Sequence, residues 1–225
     1  MPTFRQEFIE FAVREHALCF GQFRTKAGRL SPYFFNAGLF NNGYSLQLLG
    51  QYYTSAILES NIPFDALFGP AYKGIPLVST IAIALAQSGH NHSFSFNRKE
   101  AKDHGEGGSI VGAPLAGRIL IVDDVISAGI SVKQSIDIIN AAGATPCGLV
   151  IALDRMERGE SSLSAIQEIE HDFGIPVISL SNLDNVTAYL STQPDLAQYL
   201  ADIKTYRERY GINQTDQVFT ADSDK

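Results

Sequence analysis

The stretch of this chain richest in chemistry runs from Ile119 to Ser131 and reads ILIVDDVISAGIS. Its first apolar residues read as a strand buried on both faces, and that strand ends abruptly at Asp123 and Asp124. Ser127, Ala128 and Gly129 follow as a small-residue turn, after which Val132, Ile136 and Ile139 recur at helical spacing. Backbone N–H groups at the start of such a helix converge on a phosphate, which the helix dipole also favours. Ionised carboxylates just upstream accept hydrogen bonds, and vicinal ribose hydroxyls are suitable donors. Together these residues suit a phosphorylated sugar. Taken alone, the segment also fits a plainer description, a buried strand ending in two solvated acids and an ordinary helix cap.

Two other phosphate motifs are absent. The chain has no GxxxxGK[ST] for a nucleoside triphosphate and no GxGxxG between a strand and a helix for a dinucleotide. Kinase and dehydrogenase readings lose support. Gly69-Pro70-Ala71-Tyr72-Lys73-Gly74 lies between the apolar run ALFG and a helical pattern, and it offers one Lys as a point charge for phosphate. Arg98, Lys99, Lys102 and His104 lie in RKEAKDHGEGGSIVGAPLAG, a stretch with five glycines and no periodicity, as a mobile lid would read. Glu100, Asp103 and Glu106 largely cancel its positive charge, so composition alone favours a solvated loop.

These residues need a frame. Phe4, Phe8, Phe11 and Ala12 recur at helical spacing, and a second helix is expected over Ser45 to Ser60. LCFGQFRT and SPYFFNAG flank Lys26-Ala27-Gly28-Arg29, which predicts a β-hairpin ahead of the main sheet. From Phe64 onward short apolar runs alternate with helical patterns: ALFG, then Ile75 to Gln87; SFSF, then a loop; ILIV, then Ser131 to Ala142; CGLVIAL, then Ser161 to Phe173; and PVISL. Such alternation predicts an α/β fold with an open, mainly parallel, twisted sheet and flanking helices, in which ligands sit beyond the carboxyl ends of the strands.

The chain has 225 residues, enough for a single domain over 1–210 with a small hood over about 1–40, and the polar end 211–225 reads as a flexible tail. A net charge of -7 argues against a nucleic-acid binder, which needs a basic surface to displace counterions. Cys19 and Cys147 show no zinc or disulfide spacing and read as reduced thiols. Scattered charges at the N-terminus do not suit a signal peptide, and runs such as Ile81 to Ala86 are too short to span a bilayer. A cytoplasmic protein with no membrane partner is expected.

The segment ILIVDDVISAGIS resembles the phosphoribosyl diphosphate signature of the type I phosphoribosyltransferases. That resemblance implies the fold of that family. It assigns Asp123 and Asp124 to the ribose hydroxyls, with Val125, Ile126, Ser127, Ala128, Gly129, Ile130 and Ser131 around the phosphoribosyl group. The pattern RKxxKxHG is similar to the catalytic loop of the orotate phosphoribosyltransferases, a family that usually carries Thr where this chain has Ile130, so weaker phosphate binding is expected there. In that family the loop closes over the neighbouring subunit's site, which implies a homodimer with a lid over Arg98–Gly117.

The same resemblance implies that Tyr72 and Lys73 contact the leaving diphosphate, in a loop that can hold a non-proline cis peptide. Lys26 would reach the reaction centre, the backbone at Phe34 and Phe35 would hold orotate with Ser127, and Arg155 would meet the orotate carboxylate. Taken singly, Arg155 reads as a rim salt bridge and the Phe pair as a packed strand.

The implied reaction moves ribose 5-phosphate from phosphoribosyl diphosphate to a ring nitrogen of orotate, with inversion at the anomeric carbon. Mg²⁺ is the implied cofactor, held by substrate oxygens and water near Asp123 and Asp124, with no direct protein cage. Lys102 or His104 would donate a proton to the departing diphosphate, and Lys26, Lys102, His104 and Asp124 are the catalytic candidates. Transfer to uracil or a purine would not need Lys26 and Arg155 around a carboxylate. A regulator that only senses phosphoribosyl diphosphate would have little use for RKEAKDHG.

Overall fold

A computed structural model describes residues 3–25, 28–102, 108–126, 129–159 and 161–212. Helix α1 (Phe4–Arg14) buries Phe8, Ile9, Phe11 and Ala12, and its Thr3 and Gln6 form a capping box. Strands β1 (Leu18–Arg24) and β2 (Leu30–Phe35) pair antiparallel as a separate hairpin, and a short 3₁₀ turn (Ala37–Leu39) leads into α2 (Gly43–Ser60). The main sheet then begins with β3 (Ala66–Gly69), followed by α3 (Gly74–Gln87), β4 (Ser93–Lys102), β5 (Gly108–Gly112) and β6 (Arg118–Val122). After α4 (Ile130–Ala141), β7 (Thr145–Asp154), α5 (Ala165–Phe173) and β8 (Val177–Asn182) complete it, and α6 (Leu183–Ser191) and α7 (Gln198–Tyr210) end the described chain.

The order across the six-stranded sheet is β5-β4-β3-β6-β7-β8. All neighbours run parallel except β4 and β5. The central strands carry apolar residues at every position because both faces are covered. In β6, Leu120 and Val122 join the core shared with α1, α2, α3, α6 and α7, while Ile119 and Ile121 pack with α4 and α5. All four are fully buried, and each such side chain contributes about 1.5–3 kcal/mol relative to exposure. This two-sided burial holds the acids at the end of β6 in place.

Three expectations change. The stretch after SFSF is not an irregular loop: β4 runs on to Lys102 and returns as β5, with a register irregularity between Asn97 and Lys102. Its charged residues carry no apolar alternation in the sequence, so the strand left no pattern to read. Helix α5 starts at Ala165, where Ser164 and Gln167 form a capping box, and not at Ser161. Helices α6 and α7, to which the sequence patterns assigned nothing, fill 183–210, and α7 continues into Gly211, which bridges to Glu157, and Ile212, whose N–H donates to the Met156 carbonyl at 3.1 Å. The remaining tail, 213–225, lies outside the described residues. Among the described residues no helix is long and apolar enough to cross a membrane.

Candidate active site

The backbone of Asp123 and Asp124 is held by β7: Asp123 N–H donates to the Val150 carbonyl at 3.0 Å, and Ala152 N–H donates to the Asp124 carbonyl at 2.9 Å. From the other face, the buried Tyr53 hydroxyl donates to the Asp123 carbonyl at 2.8 Å. The two acids are 8% and 7% exposed, so they are not the solvated pair that the plainer description allowed. Asp123 Oδ1 accepts from the Asp124 N–H at 2.9 Å, and its Oδ2 accepts from the Ser131 hydroxyl at 3.1 Å. Burial, helped by the charge of Asp124, pushes the Asp123 carboxyl up to about 6. Asp124 Oδ1 accepts from the Val125 N–H at 2.9 Å and its Oδ2 from Lys73 Nζ at 2.6 Å.

Lys73 comes from the loop that follows β3, which folds back tightly on itself. A Cβ on Gly69 would stand 2.2 Å from the Gly74 carbonyl oxygen, and one on Gly74 would stand 2.6 Å from the Gly69 carbonyl carbon. Only glycine at both ends permits this approach. The Ala71–Tyr72 peptide is cis. Asn97 on β4 anchors the loop by accepting from the Ala71 N–H at 2.8 Å, and Lys99 Nζ stands 4.9 Å above the Tyr72 ring. The arm and the loop are thus one unit, with Arg98 and Lys99 on the arm and an exposed Tyr72 beneath it.

At the start of α4, Gly129 takes the left-handed conformation at φ 66°, which turns the chain into the helix. At the start of the helix Lys133 N–H donates to the Gly129 carbonyl at 2.9 Å, and among the described residues the earlier N–H groups have no intrahelical acceptor. Ile130 is 62% exposed at that terminus. Val125 and Ile126 are half-buried and pack against the cores on opposite faces of the sheet. The Ser131 hydroxyl donates to Asp123 Oδ2, which ties the first turn of α4 to the acid pair.

A second group of charges lies at the end of β7. Arg155 Nε donates to Glu157 Oε1 at 2.8 Å, and its Nη2 donates to the Ser31 hydroxyl at 3.2 Å. The guanidinium stands 4.6 Å from the centre of the Tyr33 ring, and the Tyr33 hydroxyl donates to Glu157 Oε1 at 3.2 Å. Arg155 is therefore bonded to the hood. Phe35 is buried in the core, whereas Phe34 is partly exposed and stacks on Phe23, with ring centres 5.6 Å apart. Among the described residues β2 pairs with β1 alone in its sheet, and α7 packs against it.

Of the expected site residues, Lys26, His104, Ser127 and Ala128 lie outside the described residues, as does the Lys102 side chain. The structure unites Asp123, Asp124, Lys73 and Ser131, sets Lys99 on Tyr72, and ties Arg155 to the hood. Among the described residues no hydrogen bond joins the Arg155 group to the acid pair.

A phosphoribosyl transferase domain model matches residues 40–177, the part of the chain that carries the acid pair and the Lys73 loop. The chain is 66% identical over 218 residues to the orotate phosphoribosyltransferase of Nitrosomonas europaea, covering 97% of this chain and 96% of that protein. This chain belongs to the orotate phosphoribosyltransferase family.

A further member, from Neisseria meningitidis, is 55% identical over 94% of this chain and 100% of its own length. Among solved structures, orotate phosphoribosyltransferase from Francisella tularensis is 40% identical, with a TM-score of 0.83 covering 91% of this chain and 99% of that one. Orotate phosphoribosyltransferase from Mycobacterium tuberculosis, at 22% identity and a TM-score of 0.65, shares the fold. The hood and the C-terminal helices lie outside the general domain match and inside these full-length ones.

Sequence reasoning missed Tyr53, Asn97 and the set Arg29, Ser31, Tyr33 and Glu157. Tyr53 is a core position on α2; its hydroxyl contact spans 70 residues and leaves no local pattern. Glu157 stood two places after Arg155, and its opposite charge was the available signal.

Proposed function

We propose that this chain transfers ribose 5-phosphate from phosphoribosyl diphosphate to orotate, giving orotidine 5′-monophosphate and diphosphate for pyrimidine nucleotide synthesis. The observation that carries this reading is the 66% identity to an orotate phosphoribosyltransferase over nearly the whole chain, hood and Arg155 included.

The geometry supports a division of labour. Asp123 and Asp124 accept hydrogen bonds from the ribose hydroxyls, and the free N–H groups at the start of α4 receive the 5′-phosphate. Tyr72 and Lys73 hold the diphosphate. As the anomeric C–O bond breaks and the C–N bond forms on the opposite face, negative charge moves onto the diphosphate, where Lys73, Arg98, Lys99, Lys102 and His104 stabilise it. Lys102 or His104 supplies a proton to that leaving group, and Lys26 reaches the reaction centre. Arg155 and the β2 backbone at Phe34 and Phe35 orient orotate, which sets its ring nitrogen against the anomeric carbon.

The donor set fits Mg²⁺ held mostly by substrate oxygens and water. Asp123 and Asp124 offer hard oxygen ligands to such an ion. When bound, Mg²⁺ would offset the charge of the diphosphate. The β4–β5 arm suits a lid over residues 98–117 that closes on the site of a second copy in a homodimer, a stretch that carries Arg98, Lys99, Lys102 and His104. The two cysteines are free thiols, which suits a cytoplasmic setting.

An absorbance assay with phosphoribosyl diphosphate and Mg²⁺ tests this reading against orotate, uracil and hypoxanthine. Turnover with orotate alone, abolished by a chelator and restored by Mg²⁺, is the expected result. Turnover with another base instead would reject the assignment, and tight binding of phosphoribosyl diphosphate without turnover would point to a sensor.

A further inference from the structure

We propose that Glu157 is the positioning residue that presents Arg155 to the substrate carboxylate, and that it sets which edge of the guanidinium is offered. This rests on the reading of Arg155 as the group that meets orotate. Glu157 Oε1 accepts from Arg155 Nε at 2.8 Å and lies 2.6 Å from Arg155 Nη2, so it holds one edge of the fork. The same oxygen accepts from the Tyr33 hydroxyl at 3.2 Å, and Oε2 accepts from Arg29 Nη1 at 3.4 Å. Ser31 takes a second bond from Nη2, and the Tyr33 ring supports the guanidinium from one face. Among the described residues the guanidinium is bonded at Nε and Nη2, with the Tyr206 hydroxyl also beside it, and on this reading Nη1 is the edge offered to a ligand.

Charge and burial explain why this site needs a carboxylate. Arg155, Arg29 and Glu157 are all largely buried, so two guanidinium groups bring two positive charges into poorly solvated space against the one negative charge of Glu157. Without Glu157 the arginines would repel and Arg155 would turn toward water. With it, the group keeps one net positive charge to attract a single carboxylate. The backbone beneath Glu157 is clamped by the end of α7: Arg158 N–H donates to the Tyr210 carbonyl at 2.8 Å, Ile212 N–H donates to the Met156 carbonyl, and Glu157 bridges Gly211. The C-terminal helix therefore helps to position Arg155 through Glu157.

The test compares Glu157→Gln, Arg155→Ala and their double variant by steady-state kinetics and thermal melting. Glu157→Gln keeps the shape and removes the charge, so KM for orotate should rise about tenfold, as expected for a lost charged hydrogen bond, while KM for phosphoribosyl diphosphate stays within about twofold. In the Arg155→Ala background the same change should raise KM for orotate no further, since its effect passes through Arg155. A merely structural role would lower both affinities and the melting temperature together. Unchanged orotate KM in Glu157→Gln beside a raised KM in Arg155→Ala would overturn the proposal and spare the reading of Arg155. Unchanged orotate KM in Arg155→Ala would strike that reading and the proposal with it. Should Glu157→Gln fail to fold, Ser31→Ala removes the other anchor of Nη2 for the loss of one oxygen atom; a rise of about two- to fivefold in orotate KM alone supports the proposal, and no change overturns it.

Discussion

Lys73 Nζ lies 2.6 Å from Asp124 Oδ2, which joins the loop after β3 to the end of β6 by an ion pair between a half-exposed cation and a buried acid. Each partner has a second claim in the proposed reaction: Asp124 on the ribose hydroxyls, Lys73 on the diphosphate. The pair therefore orients both groups before substrate arrives, and the incoming diphosphate must compete with Asp124 for the lysine.

Lys73→Ala should raise KM for phosphoribosyl diphosphate at least tenfold, since a charge-assisted contact is worth about 1.5–3 kcal/mol. The stability cost should be only about 1 kcal/mol, because the lysine is half-exposed and water screens the pair. Steady-state kinetics and urea unfolding measure the two effects. A large loss of stability with unaltered KM would make the pair a structural bridge.

Ile130 is exposed at the N-terminal end of α4, the proposed site of the 5′-phosphate, where a Thr hydroxyl would add a donor. Ile130→Thr should lower KM for phosphoribosyl diphosphate by about two- to tenfold, the worth of one hydrogen bond, with kcat little changed. An unchanged KM would show that the backbone alone holds the 5′-phosphate.

The buried Asp123 carboxyl, raised to about 6, titrates above its unfolded value. Between about pH 4 and 6 the folded state binds the extra proton, so this carboxyl disfavours folding fully above pH 6, and the penalty fades as pH falls toward 4. Ribose binding needs the ionised form and should follow the opposite course. Affinity for phosphoribosyl diphosphate should fall as pH drops through about 6, and Asp123→Asn should lack that pH limb while binding more weakly at pH 8. Calorimetric titration across pH checks both; an identical limb in the variant would assign it elsewhere.

Lys102 ends β4, where its backbone pairs with Gly108. Lys102→Ala should cut kcat on the order of a hundredfold, the lower range for a lost proton donor or leaving-group charge, with a melting temperature close to that of the parent. Parental kcat would remove the arm from the mechanism.

Much of the sheet was legible because burial on both faces leaves a plain mark. ILIV can be read as a buried strand without knowing its neighbours, and a pair of acids placed at its end must lie where ligands bind. The arm was not legible: Arg98 to Lys102 are mostly charged and leave no apolar period, and the register with β5 shifts between Asn97 and Lys102. Helix α6 follows β8 without an intervening glycine or proline, starting at Asn182, whose side chain caps it by accepting from the Asn185 N–H. The Arg155 group depends on contacts with Ser31 and Tyr33 across 124 residues of chain or more, which spacing cannot reveal.

The most direct test of the account follows the products. With orotate, Mg²⁺ and phosphoribosyl diphosphate labelled with ¹³C at the anomeric carbon, NMR and mass spectrometry should find equal amounts of orotidine 5′-monophosphate and diphosphate, with the anomeric configuration inverted. Free ribose 5-phosphate with orotate unconsumed, or no loss of the labelled donor, would contradict it.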